Sequence, residues 1–256
     1  MIRKSFLILD RFGREKEKKL WQSGISDWQK FLRTRNVPGV SVTKKAYFNR
    51  QLLSAQKALY SFDSRYFTAR LPRPEHWRLY DFFKEDCVYL DIETTGLSEE
   101  HELTVIGLYD GLSSKVMIMG LNFDYDSLRQ HLQQYKMIVT FNGSAFDVPF
   151  LLKRYPDLVP DVPHFDLRHC CRRIGLTGGL KQVEKSLGIK RQNGIVDRMY
   201  GGDAVQLWRM YRATGDDYYL NLLIEYNEED VINLKPIAEK VYEALECAEI
   251  SLKKSL

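Results

Sequence analysis

The stretch CVYLDIETTGL, residues 87–97, decides the fold. Its first residues form a short apolar run that reaches a carboxylate at Asp91, a pattern typical of a buried strand. Side chains two residues apart in an extended chain point to the same face, so Asp91 and Glu93 project together. Two adjacent carboxylates cost free energy unless a positive charge lies between them, and oxygen ligands favour magnesium or manganese over zinc. The stretch therefore predicts a metal site at the end of a buried strand.

Apolar runs further along the chain predict the rest of a sheet. Four more strands are expected over 103–109, 115–119, 137–141 and 164–167. The turn at Asp110 and Gly111 makes the first three strands an antiparallel meander. Helices are expected over 125–134, 145–154, 180–187, 204–212 and from 216 onward, the last perturbed or interrupted at Pro236, and 189–203 is expected to be a loop. This order predicts an α/β fold with a mixed five-stranded sheet flanked by helices.

Two more groups of residues extend the candidate site. Asn142 lies in the turn after the fourth strand, and Asp147 follows in the first turn of the next helix, with Phe146 able to pack beneath it. In the long C-terminal helix, Tyr226 and Asp230 are four residues apart and therefore share one face. Each group taken alone has an ordinary structural explanation, because helix caps and core tyrosines are common. Only their joint order and spacing indicate chemistry.

The three groups resemble, in order and spacing, the exonuclease motifs of the DnaQ-like family within the ribonuclease H-like superfamily. The tyrosine is similar to that of the DEDDy branch, and the segments 164–167 and 226–234 look closest to its YprB-like group. The resemblance covers about residues 87–245. The motifs that carry it are D-x-E-T-T-G from Asp91 to Gly96, N-x-x-x-F-D from Asn142 to Asp147, and Y-x-x-x-D from Tyr226 to Asp230.

The resemblance implies a metal-dependent 3′–5′ exonuclease with a ribonuclease H-like fold. Such an enzyme hydrolyses phosphodiester bonds of DNA or RNA by a two-metal-ion mechanism and releases nucleoside 5′-monophosphates. Asp91, Glu93 and Asp230 would hold the first Mg²⁺ or Mn²⁺, and Asp91 would also bridge to the second. Asp147 would bind its metal largely through water, and Tyr226 would orient the attacking water. These five residues are the expected catalytic set.

A second set of residues is expected to contact the nucleic acid, which would present a single-stranded 3′ end. Thr94, Thr95 and Leu97 would meet the terminal nucleotide, and Asn142 would help to position it. Lys181 is expected at a phosphate, although an ordinary surface base is the simpler explanation for any single cation here. The full set of expected contacts is Thr94, Thr95, Leu97, Asn142, Phe146 and Lys181.

Charge is distributed unevenly along the chain. Residues 1–80 contain 18 basic and 6 acidic residues, whereas residues 81–256 contain 20 and 28. We therefore expect a basic, mainly helical N-terminal extension over 1–80 that binds nucleic acid, joined to a ribonuclease H-like domain over 81–256. Ser26 is expected to cap its first helix, and a second helix is expected near 45–60. The extension's aromatic residues either stack on bases or pack against the main domain, and both alternatives stay open.

Composition excludes several other classes. No apolar run approaches the roughly 18 residues of a membrane helix, and the apolar start is too short for a signal peptide, so a cytoplasmic protein is expected. The four cysteines form no CxxC motif, which argues against a zinc or redox site. A ribonuclease H-type endonuclease and a non-catalytic nucleic-acid-binding module are the alternatives. A glycosidase would leave Tyr226, Asp230 and the basic extension unexplained.

Overall fold

The computed structural model describes residues 1–96, 98, 100–199 and 201–254, and five strands form its mixed sheet. The strand order is β3-β2-β1-β4-β5. The β1–β2 and β2–β3 pairs are antiparallel, and the β1–β4 and β4–β5 pairs are parallel. This architecture confirms the predicted fold class. The strands are β1 (Cys87–Thr94), β2 (Leu103–Tyr109), β3 (Ser114–Ile118), β4 (Met137–Thr140) and β5 (His164–Asp166).

Twelve α-helices surround the sheet within the described residues, and three short 3₁₀ segments lie at Ile2–Lys4, Arg73–Leu79 and Lys84–Asp86. The helices are α1 (Arg14–Gln22), α2 (Trp28–Arg33), α3 (Val42–Tyr60), α4 (Arg65–Thr68), α5 (Tyr80–Phe83), α6 (Tyr125–Leu132), α7 (Asp147–Arg154), α8 (Leu167–Arg173), α9 (Leu180–Leu187), α10 (Gly194–Arg198), α11 (Gly201–Thr214) and α12 (Asp217–Lys254). None of the helices in the described ranges is both long and apolar enough to cross a membrane.

The central strand β1 divides the core into two faces. Val88, Leu90 and Ile92 are buried in one apolar cluster with α6 and α7 residues, whereas Cys87 and Tyr89 belong to a second cluster on the opposite face. Because side chains alternate along a strand, the carboxylates that follow at alternate positions lie on the second face, which α12 covers. The two acids of the opening motif are thus directed toward the long C-terminal helix.

The helix α12 is continuous through Pro236, so of the two expectations, a perturbed or an interrupted helix, the interruption is wrong. Proline removes one backbone donor and normally kinks a helix. Here Leu234, Ile237 and Val241 are fully buried in the larger core cluster on either side of it. Burial of these side chains offsets the lost hydrogen bond, since each contributes about 1.5–3 kcal/mol.

Two local predictions also need correction. The segment 189–203 is not only loop, because it contains α10 and the start of α11. Asp27 caps α2 in place of Ser26: the Asp27 side chain accepts a hydrogen bond from Lys30 N at 2.9 Å. Both residues are good caps, and the helix begins one residue later than the sequence pattern indicated.

The N-terminal extension shares its core with the sheet. Phe6, Trp28 and Leu52 are buried in the same cluster as Tyr89 and Phe165. The extension's aromatic residues therefore pack extensively against the rest of the protein. A fully buried guanidinium, Arg78, reinforces this junction by pairing with Glu17 at 3.3 Å, Glu75 at 2.6 Å and Glu249 at 3.3 Å.

Close packing of α12 on the sheet depends on a glycine in β2. A β-carbon built at Gly107 would overlap the side-chain oxygen of Asn227 on α12, whereas one built at Gly202 in α11 meets nothing within 4 Å. We expect Gly107→Ala to lower the free energy of unfolding by about 1–3 kcal/mol, as overpacking does. Gly202→Ala is the matched control and should be neutral or stabilise by up to about 1 kcal/mol. Urea unfolding of both variants checks this, and equal stabilities would contradict it.

Candidate metal centre

Three carboxylates from two elements converge at the end of β1. Asp91 and Glu93 come from the strand and Asp230 from α12, and one ligand oxygen of each lies within 4.8 Å of the others. The i, i+2 spacing on β1 explains the first pair. The third acid arrives because α12 crosses that face of the sheet, which the sequence does not specify.

The fourth expected acid, Asp147, lies beside this trio but is not one of the three converging oxygens. It is the first residue of α7 and is buried, with 4% of its surface exposed. Its Oδ1 accepts a hydrogen bond from Ile92 N, between the two strand acids, at 3.1 Å. The backbone of β1 therefore links the α7 carboxylate to the cluster.

Burial and mutual repulsion disturb the protonation of all four acids. Burial, with the neighbouring carboxylates, raises the pKa of Asp91 and of Glu93 well above the ordinary range. Burial raises the pKa of Asp147 to about 7, although backbone hydrogen bonds oppose the shift. It raises the pKa of Asp230 to about 6, with Arg191 opposing. These shifts show that the four charges lack sufficient compensation from the protein itself.

The donor set fits a divalent cation. Every converging ligand atom is a carboxylate oxygen, which suits hard ions such as magnesium, manganese or calcium better than zinc. A cation would also offset the burial and the repulsion that together raise the pKa of these acids. Asp91, Glu93 and Asp230 are the residues that would hold it.

Asn227 is a site residue that the sequence motifs did not identify. It is fully buried, and its Nδ2 donates a hydrogen bond to Asp91 Oδ2 at 3.0 Å. Its approach to the strand is possible because Gly107, the register partner of Asp91 in β2, has no side chain. The only clue in the sequence is its position, immediately after Tyr226.

Arg191 is a second residue beside the acids that the motifs did not identify. Its side chain is 1% exposed and pairs with Asp230. The guanidinium also forms two hydrogen bonds with Glu184 of α9, at 2.9 and 3.0 Å. The structure thus places a buried cation against the carboxylate cluster.

Tyr226 packs in an apolar cluster beside the acids. The residue is 6% exposed and lies among Val105, Val196 and Leu223. Burial raises the pKa of its hydroxyl, and Asp230 adds to the shift, so the phenol stays protonated. The Lys181 ammonium lies 5.3 Å from the centre of its ring.

Lys181 is engaged with the protein backbone. Its Nζ donates to Val196 O at 2.6 Å and to Asp197 O at 3.0 Å, and also to Met199 O. These carbonyls lie at the C-terminal end of α10, where a cation is favourable. The ammonium therefore holds α10 in place, and a phosphate contact stays a prediction.

The other expected substrate contacts lie in two turns next to the acids. Thr94 Oγ1 donates to Gly96 O at 2.7 Å, and Thr95 Oγ1 accepts from Glu102 N at 2.9 Å. Both hydroxyls therefore shape the turn after β1. Leu97, the third expected contact here, lies outside the described residues.

The second turn joins β4 to α7 and is organised by Asp166. This carboxylate accepts from Asn142 N at 2.9 Å and from Ser144 N at 3.1 Å. Asn142 has a positive φ of 70°, which asparagine tolerates better than most residues. Phe146 then precedes α7 and packs on Phe150, with ring centres 5.6 Å apart. Asp166 thus positions the loop that delivers Asp147.

Two further glutamates of α12 are hydrogen-bonded to other elements. Glu228 accepts from Ser114 Oγ of β3, and Glu229 Oε1 accepts from Gln192 N and Asn193 N at 3.0 and 2.8 Å. The helix α12 is therefore covered on more than one side. Glu229 holds the segment that follows Arg191 onto the helix.

A mixed sheet with clustered carboxylates at the end of its central strand defines an α/β protein whose ligand set suits a divalent cation. The model of the RNase H superfamily matches residues 88–242, more than half of the chain, so this chain belongs to the RNase H superfamily. Membership and the carboxylate cluster support nuclease activity in general, with nucleic acid as the substrate.

Two solved structures are similar to this chain. One is described as the apo form of the nuclease, with 17% identity and a TM-score of 0.49, over 67% of this chain and 79% of that one. The other is the family B DNA polymerase from the hyperthermophilic archaeon Pyrobaculum calidifontis, with 18% identity and a TM-score of 0.48. That match covers 60% of this chain and 24% of the polymerase. No curated protein matches the chain.

The raised carboxylate pKa values predict an unusual pH dependence of stability. A carboxyl group whose folded-state pKa is raised stabilises the fold when protonated, and that stabilisation is lost as pH rises through the folded pKa, here about 6 to 7 for Asp230 and Asp147. In EDTA, the melting temperature should therefore fall by several degrees between about pH 5 and about pH 8. Saturating Mg²⁺ or Mn²⁺ should reduce the decline.

The isosteric variant Asp147→Asn is the matched control, because it removes one of the repelling charges. Its melting temperature in EDTA should decline less steeply over the same pH range. A melting temperature that is independent of pH in the unsubstituted protein would contradict the electrostatic account.

Proposed function

We propose that this protein is a metal-dependent 3′–5′ exonuclease of the DnaQ-like DEDDy type, nearest the YprB-like group, acting on DNA or RNA. The observation that carries the proposal is the convergence of Asp91, Glu93 and Asp230 within 4.8 Å, with Asp147 bonded to the strand between the first two. These are the four acids of the exonuclease motifs. The expected products are nucleoside 5′-monophosphates.

The residues of the cluster divide the work of the reaction. Asp91, Glu93 and Asp230 would hold one ion and Asp91 would also reach a second, assisted by Asp147. When bound, two Mg²⁺ or Mn²⁺ ions supply activation of a water and stabilisation of the leaving 3′ oxygen. The Tyr226 hydroxyl, protonated at neutral pH, would donate to or orient the attacking water. Asn227 holds the Asp91 carboxylate in one orientation.

The turns beside the cluster would bind the terminal nucleotide. Thr94, Thr95 and Leu97 follow the strand acids directly, and Asn142 and Phe146 precede Asp147 in the chain. A single-stranded 3′ end presented to these turns would place its last phosphodiester at the acids. The proposal assigns this subsite to these two turns.

Substitution of single acids tests the catalytic assignment. Asp91→Asn and Asp230→Asn keep the side-chain shape but remove a metal-binding charge, so each should lower nuclease activity by about 100-fold or more. The assay is degradation of end-labelled DNA and RNA oligonucleotides with Mg²⁺ or Mn²⁺, with EDTA as the blank. Asp126→Asn, an exposed acid in the first turn of α6, is the matched control and should retain full activity.

The direction of cleavage needs a separate measurement. An oligonucleotide blocked at its 3′ end should resist degradation, whereas one blocked at its 5′ end should be shortened stepwise. Internal cleavage of the 3′-blocked strand would identify an endonuclease instead. A complete absence of activity on all substrates, with metal binding retained, would favour a non-catalytic binding module.

The N-terminal extension is proposed to bind nucleic acid at a surface outside the carboxylate cluster. The helix α3 spans about 28 Å, contains four basic residues and has no acidic residue. Arg50 and Lys57 are exposed on its outer face, and Tyr60 beside them is 73% exposed. Arg3 lies 5.9 Å from the Tyr60 ring and extends the basic surface. Cations with an exposed ring suit phosphates and unpaired bases.

Truncation is a poor test of this surface, because residues 1–80 supply buried core side chains. The variant Arg50→Gln/Lys57→Gln instead removes two exposed charges. If both contact phosphates of a single strand, the slope of log K against log salt should become shallower by about 1.4. Fluorescence anisotropy with a labelled oligonucleotide in EDTA measures it.

A matched pair of exposed bases outside the extension serves as the control. Arg129→Gln/Lys240→Gln removes one arginine and one lysine from the surfaces of α6 and α12. This variant should keep the salt slope of the unsubstituted protein. An equal change in slope for the two double variants would remove α3 from the binding account.

A further inference from the structure

The carboxylate cluster contains a buried protein cation that the proposed mechanism does not use. Arg191 bonds directly to Asp230, one of the three converging acids. Its side chain is 1% exposed, so this is not a loosely associated surface base. Charges buried to this degree are placed by the fold, since burial of an unpaired cation costs several kcal/mol.

The guanidinium is held from outside the cluster as well. Glu184 on α9 binds Arg191 through both carboxylate oxygens, at 2.9 and 3.0 Å, and itself accepts from Asn233 Nδ2 at 2.9 Å. The backbone directly after the arginine is tied to α12 through Glu229. The cation therefore cannot leave for solvent without breaking two sets of buried contacts.

The hydrogen bonds of Arg191 indicate that its positive charge, more than the geometry of its N–H donors, is complementary to the surrounding carboxylates. Nη2 is shared between Glu184 and Asp230, whereas the buried Nη1 has no hydrogen-bond partner among the described residues. The cation also opposes the rise in the pKa of Glu93 and of Asp230 that burial causes, the same direction in which a bound metal would act. Arg191 thus supplies part of the compensation that the acids lack.

We propose that Arg191 is an internal counter-cation of the metal site, which stabilises the metal-free protein and competes with the metal for Asp230. The inference rests on the proposed function, because it requires that the cluster binds metal. Coupling between two ligands of one site is reciprocal. The free energy by which Arg191 stabilises the metal-free state is therefore lost from the free energy of metal binding.

Two other roles for Arg191 make different predictions. A phosphate contact would need an accessible guanidinium, and this one is enclosed by Glu184, Asp230 and the ring of Tyr226, whose centre is 5.6 Å away. A residue that merely orients Asp230 for the metal would have the opposite effect on affinity, since its loss would weaken binding. The sign of the change in metal affinity therefore discriminates.

In the test, the protein of residues 1–256 is titrated with MnCl₂ alone, and binding is measured by isothermal titration calorimetry. Arg191→Gln removes the charge and keeps a donor, and it should bind Mn²⁺ more tightly, on the order of ten-fold. Its melting temperature in EDTA should fall, and the increase produced by Mn²⁺ should be larger than in the unsubstituted protein. Arg191→Lys keeps the charge and should stay close to the unsubstituted affinity.

A second variant should change Mn²⁺ affinity in the opposite direction. It tests the proposal even if Arg191→Gln does not fold. Glu184→Gln removes the competing partner of Arg191 and leaves its charge to Asp230, so Mn²⁺ affinity should fall. Arg198→Gln and Glu239→Gln change the same charges at exposed positions of α10 and α12 and should leave affinity unchanged.

Different results would overturn the role of Arg191 and the metal-dependent function. Weaker or unchanged Mn²⁺ binding by Arg191→Gln, with normal binding by the unsubstituted protein, overturns the counter-cation role. No Mn²⁺ binding by the unsubstituted protein overturns the proposed metal-dependent function itself.

Discussion

Electrostatic repulsion among buried carboxylates is the constraint on which the rest of this structure depends. Asp91, Glu93, Asp147 and Asp230 lie close together, and burial, with repulsion from neighbouring carboxylates, raises the pKa of each. Such an arrangement opposes folding, so it persists only because the surrounding packing is strong. A bound cation turns the same repulsion into binding energy.

The surrounding packing is organised to hold α12 against β1. Gly107 opens the space that Asn227 enters, and buried side chains on both sides of Pro236 keep the helix continuous. The N-terminal extension adds to this support, since its aromatic residues complete the larger core cluster and Arg78 joins it to the C-terminal part of α12. A site made from a strand and a helix distant in sequence needs this rigidity.

Basic side chains of the protein lie beside the negatively charged site. Arg191 and Lys181 both lie over the ring of Tyr226, and one bonds to an acid while the other bonds to the backbone of α10. Helix α9 carries Lys181 and also Glu184, the partner of Arg191, three residues apart and thus on one face. This short helix therefore couples the segment around α10 to the face of α12 that carries Asp230.

The sequence by itself determined the sheet and the order of its elements, because these follow from the periodicity of apolar residues. It also predicted the acids, through the order and spacing of three motifs that resemble those of a known family. The alternation in residues 87–94 is enough to predict that Asp91 and Glu93 share a face. Only the tertiary structure decided that Asn227, Arg191 and Glu184 lie at the site. Each acts through a partner on another element, and no local pattern encodes which helix faces which strand. The same reason explains Pro236, where long-range burial outweighed a local rule.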